Sequence, residues 1–157
     1  MTHGKVVDGA AGKEILLSIM ENQPKGIYFK DLKNIPLDSW EVRGKKSKGY
    51  FFDMGTKMFE AHLAEIPPGT NKKAHRHQIE AIIYIVKGNG YSLMWAEGEE
   101  PKRYPWSEGD LFCVPMNWWH QHFNLDAKDT ARYLAFTNIA FMENLGLFET
   151  AQIEEDQ

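Results

Sequence analysis

Between residues 26 and 138 the apolar positions come in short bursts of Val, Ile, Tyr, Phe and Trp, cut apart by glycine, proline or charged residues. Bursts of that length with turn residues between them predict strands. About nine are legible, at 26–30, 50–54, 57–66, 80–87, 91–96, 102–106, 111–114, 119–124 and 131–138. Gly88-Asn89-Gly90, Gly98-Glu99-Glu100-Pro101 and Glu108-Gly109-Asp110 supply turns, because Gly and Asn accept a positive φ and Asp and Pro favour corners. The pattern predicts an all-β sandwich or barrel. The two ends depart from it. Ile15, Leu16, Ile19 and Met20 recur at helical spacing over 12–22 until Pro24 ends the run. Phe141, Met142, Leu145 and Leu147 return to a helical pattern, which fades into Glu154-Glu155-Asp156, an acidic tail expected to fray.

The chain has 157 residues, enough to bury a core without disulfides, and reads as one domain. Its strand-rich core covers about 50–138, with 1–49 as an N-terminal extension and 139–157 as a C-terminal helix and acidic tail. Eighteen Lys and Arg against 22 Asp and Glu give a net charge of −4. That balance argues against nucleic acid as a partner, since backbone binding draws on positive charge. The one basic cluster, Arg43-Gly44-Lys45-Lys46-Ser47-Lys48-Gly49, reads as a solvated hairpin loop rather than an anion site. The single cysteine, Cys113, lies between apolar neighbours and is expected to be buried. An unpaired cysteine and the shortness of the early apolar run, 15–20, fit a cytoplasmic protein with no membrane span.

Four of the six histidines sit in two short segments, Ala74-His75-Arg76-His77 and His120-Gln121-His122-Phe123. On a strand, residues two apart share a face, so His75 and His77 aim their imidazoles one way and Arg76 points the other. Such a pair suits a divalent transition metal. A third donor must come from elsewhere in the chain, and His120 is the candidate. Three neutral imidazoles on one side of an ion leave its other positions open. His122 shares the face of His120 and is a base beside the ion, a fourth ligand or a hydrogen-bonded core residue. Trp118, by the same alternation, either stacks against a planar substrate or packs into the core. Ile83 and Ile85 share the face of Ala81 and should make the pocket floor apolar, while His62 reads as ordinary strand content.

In this arrangement the chain resembles the cupins. Gly69, His75, His77 and Gly88 fall at the offsets of the first cupin motif. Gly109, Pro115, His120 and Asn124 fall at those of the second, with Asn117 where a glycine is usual. Asn is the next best residue at positive φ, so that departure is mild. The resemblance covers about residues 50–138. It implies a double-stranded β-helix, the jelly-roll cupin barrel, with short N- and C-terminal helical segments and the metal in the barrel mouth. It implies His75, His77 and His120 as the metal ligands, and Asn124 as the holder of a turn or a contact behind them. The glutamate of the first motif is displaced: its position holds Ala81, and Glu80 stands one residue earlier, on the opposite face of a regular strand. Strand register set by Gly88 points to a three-histidine centre, whereas a shortened loop after His77 would let Glu80 reach the ion. Three-histidine centres resemble those of gentisate-type ring-cleaving and thiol dioxygenases. The resemblance also implies a homodimer, with residues 10–32 and 139–149 as candidate cover.

The functional expectation is an Fe(II)-dependent oxygenase acting on a small-molecule substrate, aromatic or diketone, with His122 and Trp118 as candidate catalytic groups. Mn, Ni, Cu and Zn also accept three imidazoles. A metal-dependent lyase or isomerase in which His122 transfers the proton is an alternative, and a non-catalytic small-ligand binder is another.

Overall fold

Along residues 81–87 Ala81, Ile83 and Ile85 are buried while Ile82 and Tyr84 face outward, the alternation of a strand with one face on a core. A computed structural model describes residues 4–8 and 24–155, and the helix expected over 12–22 lies outside them. The elements are β1 (Gly4–Val7), β2 (Asp38–Ser39), a 3-10 turn (Glu41–Arg43), β3 (Lys48–Phe52), β4 (Glu60–Ile66), β5 (His75–His77) and β6 (Ala81–Lys87). They continue as β7 (Asn89–Trp95), β8 (Lys102–Ser107), β9 (Leu111–Val114), β10 (Trp119–Asn124), β11 (Ala131–Thr137), α1 (Ile139–Asn144) and β12 (Thr150–Glu155).

The strands pair antiparallel into two six-stranded sheets, ordered β1-β12-β5-β10-β7-β8 and β2-β3-β4-β11-β6-β9. This is the all-β fold that the apolar pattern predicts, in the jelly-roll form that the cupin resemblance implies. Ile66, Ile83, Ile85, Met94, Trp106 and Val114 belong to the principal core. Pro105 lies in β8, an edge strand, where its missing N–H removes no central ladder bond. Two backbone positions need their residue type. Gly88 has φ 93°, and a Cβ there would stand 2.9 Å from Ala131 Cα. Asn117 has φ 63° and does the work of the usual glycine.

Three local expectations fail. Residues 26–30 form no strand; a single bridge joins Lys25 to Asp53, and Phe29 instead packs its ring 4.6 Å from that of Phe52, against the outer face of β3 and β4. Cys113 is exposed, because β9 obeys alternation: Val114 faces the core, and Cys113 points outward with Leu111 and opposite Ile82. The C-terminal helix is confined to Ile139–Asn144, and the tail does not fray through Glu155. Residues 150–152 pair with His77, Arg76 and His75, and 152–155 with β1. Among the described residues no helix is long and apolar enough to cross a membrane.

Candidate metal centre

β5 is three residues long and is held from both sides. β12 pairs with it along one edge, and on the other β10 places His120 directly opposite His75. The period of two then brings His77 to the same face. Ring centroids of His75 and His120 are 4.1 Å apart, those of His77 and His120 4.8 Å and those of His75 and His77 5.8 Å. One ring nitrogen from each lies within 4.8 Å of the other two, the only such cluster of metal-binding groups among the described residues.

Hydrogen bonds fix which nitrogen that is. Nδ1 of His75, His77 and His120 lies 2.8, 3.0 and 3.0 Å from the carbonyl oxygens of Lys73, Ile79 and Trp118. A carbonyl only accepts, so each Nδ1 carries the proton and each Nε2 keeps its lone pair. Burial, then the charge of Arg43, lowers the pKa of His75 well below the usual range and that of His77 to about 4. Burial, then His77 and His122, does the same to His120. At neutral pH three unprotonated imidazoles therefore face one point, without protons to displace. The donor set fits a divalent transition ion and leaves the coordination positions opposite the imidazoles to other ligands.

The other predicted residues take different places. His122 is 2 % exposed, and its Nδ1 lies 2.7 Å from Ser92 Oγ. Ser92 Oγ already accepts from Trp106 Nε1 at 3.0 Å, so its own proton is satisfied by donation to His122 Nδ1, which puts the imidazole proton on Nε2. Burial, then Lys72, lowers the His122 pKa to about 3. His122 lines the cavity as a neutral imidazole outside the ligand cluster. Trp118 is half-buried and borders a separate outer cleft, which shares His77 with the inner cavity. Glu80 is exposed, and Ala81 lines the cavity in its stead. Asn124 donates to Ile66, Pro67 and Asp129 carbonyls and accepts from the Asp126 N–H, pinning two loops.

Two further groups line the cavity. On β4, Glu60 and His62 share the inward face, and His62 Nδ1 lies 3.0 Å from Glu60 Oε2. The carboxylate accepts the hydrogen bond from Nδ1–H and orients the ring, leaving Nε2 as an acceptor. Thr137 donates to the same carboxylate at 3.0 Å. His62 is thus more than strand content, and the spacing Glu60-Ala61-His62 held the signal: residues two apart on a strand share a face. The second group is cationic. The basic cluster is not wholly solvated: Lys45, Lys46 and Lys48 are exposed, but Arg43 and Ser47 are buried, and Arg43 reaches the cavity together with Lys72. The 3-10 turn closes β2 to β3 over the barrel end and turns Arg43 inward, where Nη1 donates to Gln152 Oε1 at 2.8 Å.

The cupin-domain family model matches residues 62–137. Acireductone dioxygenase of Branchiostoma floridae is 27% identical over 125 residues, 70% of this chain and 68% of that protein. The 5-aminosalicylate 1,2-dioxygenase of a Comamonas species is 30% identical over 82 residues, 52% of this chain and 20% of its own length. The structure of salicylate 1,2-dioxygenase from Pseudaminobacter salicylatoxidans superposes with TM-score 0.59 at 17% identity, over 91% of this chain and 36% of that one, a likeness of fold. Gentisate 1,2-dioxygenase of a Haloferax species is 33% identical over 69 residues, 44% of this chain and 18% of that protein. Barrel, paired motifs and the match of the cupin-domain model over residues 62–137 give this chain a cupin fold.

Proposed function

We propose that this cupin-fold protein is an Fe(II)-dependent oxygenase acting on a small organic molecule. The observation that carries the reading is the convergence of three lone pairs, each fixed by a backbone carbonyl, on the wall of a buried cavity. A ferrous ion bound there supplies Lewis acidity and electrons for dioxygen chemistry. The chain supplies the rest. Ile79, Ala81, Ile83, Ala135 and Ile139 keep bulk water from the site and lower its dielectric. His62 Nε2 takes the proton from a substrate hydroxyl, and Glu60 holds the ring and offsets its charge. His122 Nε2–H, held by the Ser92 and Trp106 bonds, is a fixed donor toward the same space. The similarity to curated dioxygenases supports an oxygenase over a lyase.

The test begins with elemental analysis of protein purified without a chelating tag. Anaerobic loading with Fe(II) and exposure to nitric oxide follow, and a ferrous-nitrosyl spectrum is expected, because positions on the ion remain open. Oxygen uptake is then recorded across a panel of small organic acids. Turnover that persists at full rate under strict anaerobiosis, or failure to retain iron, removes the oxygenase reading.

A further inference from the structure

Among the described residues three buried nitrogen donors lack a hydrogen-bond partner, Trp40 Nε1, Arg43 Nε and Lys72 Nζ, and all three belong to side chains lining the metal cavity. Trp40, Arg43 and Lys72 are 4%, 4% and 1% exposed. Burying a charge without a counter-ion is costly, and a native chain keeps such groups where something else completes them. The neighbouring carboxylates are already engaged, Glu60 by His62 and Thr137, Glu65 by Arg132, and Glu154 by Lys73 and Gln152. Ser47 Oγ is buried without a hydrogen-bond partner among the described residues. Lys72 Nζ stands 5.0 Å from the Trp40 ring centroid, and its charge is felt by His122. Burial and the neighbouring Arg43 lower its own pKa to about 7. Arg43 and Lys72 thus line this cavity with a single carboxylate, Glu60. A divalent ion on three neutral imidazoles adds two more positive charges, so the complete site calls for an anion.

Resting on the reading of the triad as a metal centre, we propose that Arg43, Lys72 and the Trp40 indole N–H form an anion subsite for the carboxylate of a compact organic acid. All three donors are donor-only groups, and the planar guanidinium matches a carboxylate edge. The cavity is small, about 40 Å³. An engineered cavity of about 150 Å³ is of the size that admits a benzene ring, so this one suits an acid of few non-hydrogen atoms. A purely structural role accounts for the Arg43 bond to Gln152 and for the Trp40 ring beside Lys72, but leaves the three donors without acceptors.

Glycolate and glycolamide, alike in shape and different in charge, serve as probes. Each is titrated by calorimetry and tryptophan fluorescence into metal-free protein and into protein loaded with Mn(II). Glycolate is expected to bind at least tenfold more tightly than glycolamide in both forms. Lys72→Met replaces a buried charge with an apolar chain of similar length and leaves the barrel folded. It is expected to abolish that preference while Mn(II) still binds with a stoichiometry near one, and Arg43→Gln is expected to weaken it likewise. Where Arg43→Gln fails to fold, Lys72→Met decides. Equal affinity for acid and amide, binding of neither, inorganic phosphate bound in preference to glycolate, or an unchanged preference in folded Lys72→Met overturns the subsite. Glycolate preference without Mn(II) binding keeps the subsite and removes the metal centre; Mn(II) binding without the preference does the reverse.

Discussion

His75, His77 and His120 each commit Nδ1–H to a backbone carbonyl two residues away, so ring orientation and tautomer are set by local chain geometry. The cost of removing a ligand then falls on metal binding more than on the fold. Any one of His75→Ala, His77→Ala or His120→Ala leaves two donors, and the bound metal measured by elemental analysis should fall at least tenfold while the far-ultraviolet circular dichroism is unchanged. His62 is separable from this set. His62→Gln should retain the metal and lose about 10²–10⁴-fold in turnover, the usual contribution of a positioned base. Retained activity would assign the proton to another group. His75 and His77 were legible as a pair because a strand's period of two is strict, and His120 through its place in the second motif. Glu60-Ala61-His62 carried the same two-residue spacing, yet His62 reads as ordinary strand content in the sequence alone. Arg43 was not legible: a loop residue follows no period, and only the 3-10 turn of residues 41–43 decides that it points inward.

Strands with one apolar face announce themselves, and β6, β9, β10 and β11 lie within a residue of where alternation puts them. β12 gave no such signal. Thr150 and Gln152 are buried there through hydrogen bonds rather than hydrophobicity, to the Arg76 carbonyl and to Arg43 and Val42, and those partners are remote in sequence. The acidic composition of residues 154–156 pointed instead to a solvated end. This hidden strand nevertheless forms one edge of β5 and holds Gln152 against Arg43. Removing residues 150–157 should therefore leave β5 paired on one side alone. The loss expected is several kcal/mol, or roughly 5–15 °C in Tm by calorimetry, at about 2–4 °C per kcal/mol for a chain of this size. Metal affinity should fall with it, at least tenfold by competition with a chelating dye. Full metal affinity in a folded truncated chain would show that β10 and the loop carbonyls suffice to place His75 and His77.

Across the whole molecule the barrel buries nitrogen bases, and this sets how stability follows pH. His77 and His122 have pKa values of about 4 and 3 when folded, against 6.5 as free groups, with burial as the leading cause in each. Between pH 6.5 and about 4 the unfolded chain holds a proton on each that the folded chain lacks, so falling pH favours unfolding. Each contributes about 1.4 kcal/mol per pH unit, and His75 and His120, shifted in the same direction, steepen the fall. Lys72 acts with the same sign in a second window. Its pKa drops from 10.5 to about 7 on folding, so from pH 7 upward the unfolded chain again carries the extra proton, and stability rises with pH until 10.5. Metal-free protein unfolded in urea near pH 5, 7 and 9 should accordingly show midpoints that increase in that order. Lys72→Met should flatten the alkaline limb and leave the acid limb intact, because it removes the second window alone. A midpoint that is level or falls between about pH 7 and 9 in the unsubstituted protein would mean that the cavity holds Lys72 with no disadvantage to its charge. Bound metal keeps protons off the same Nε2 lone pairs, so loading should extend the acid limb to lower pH and leave its slope above about pH 6 unchanged.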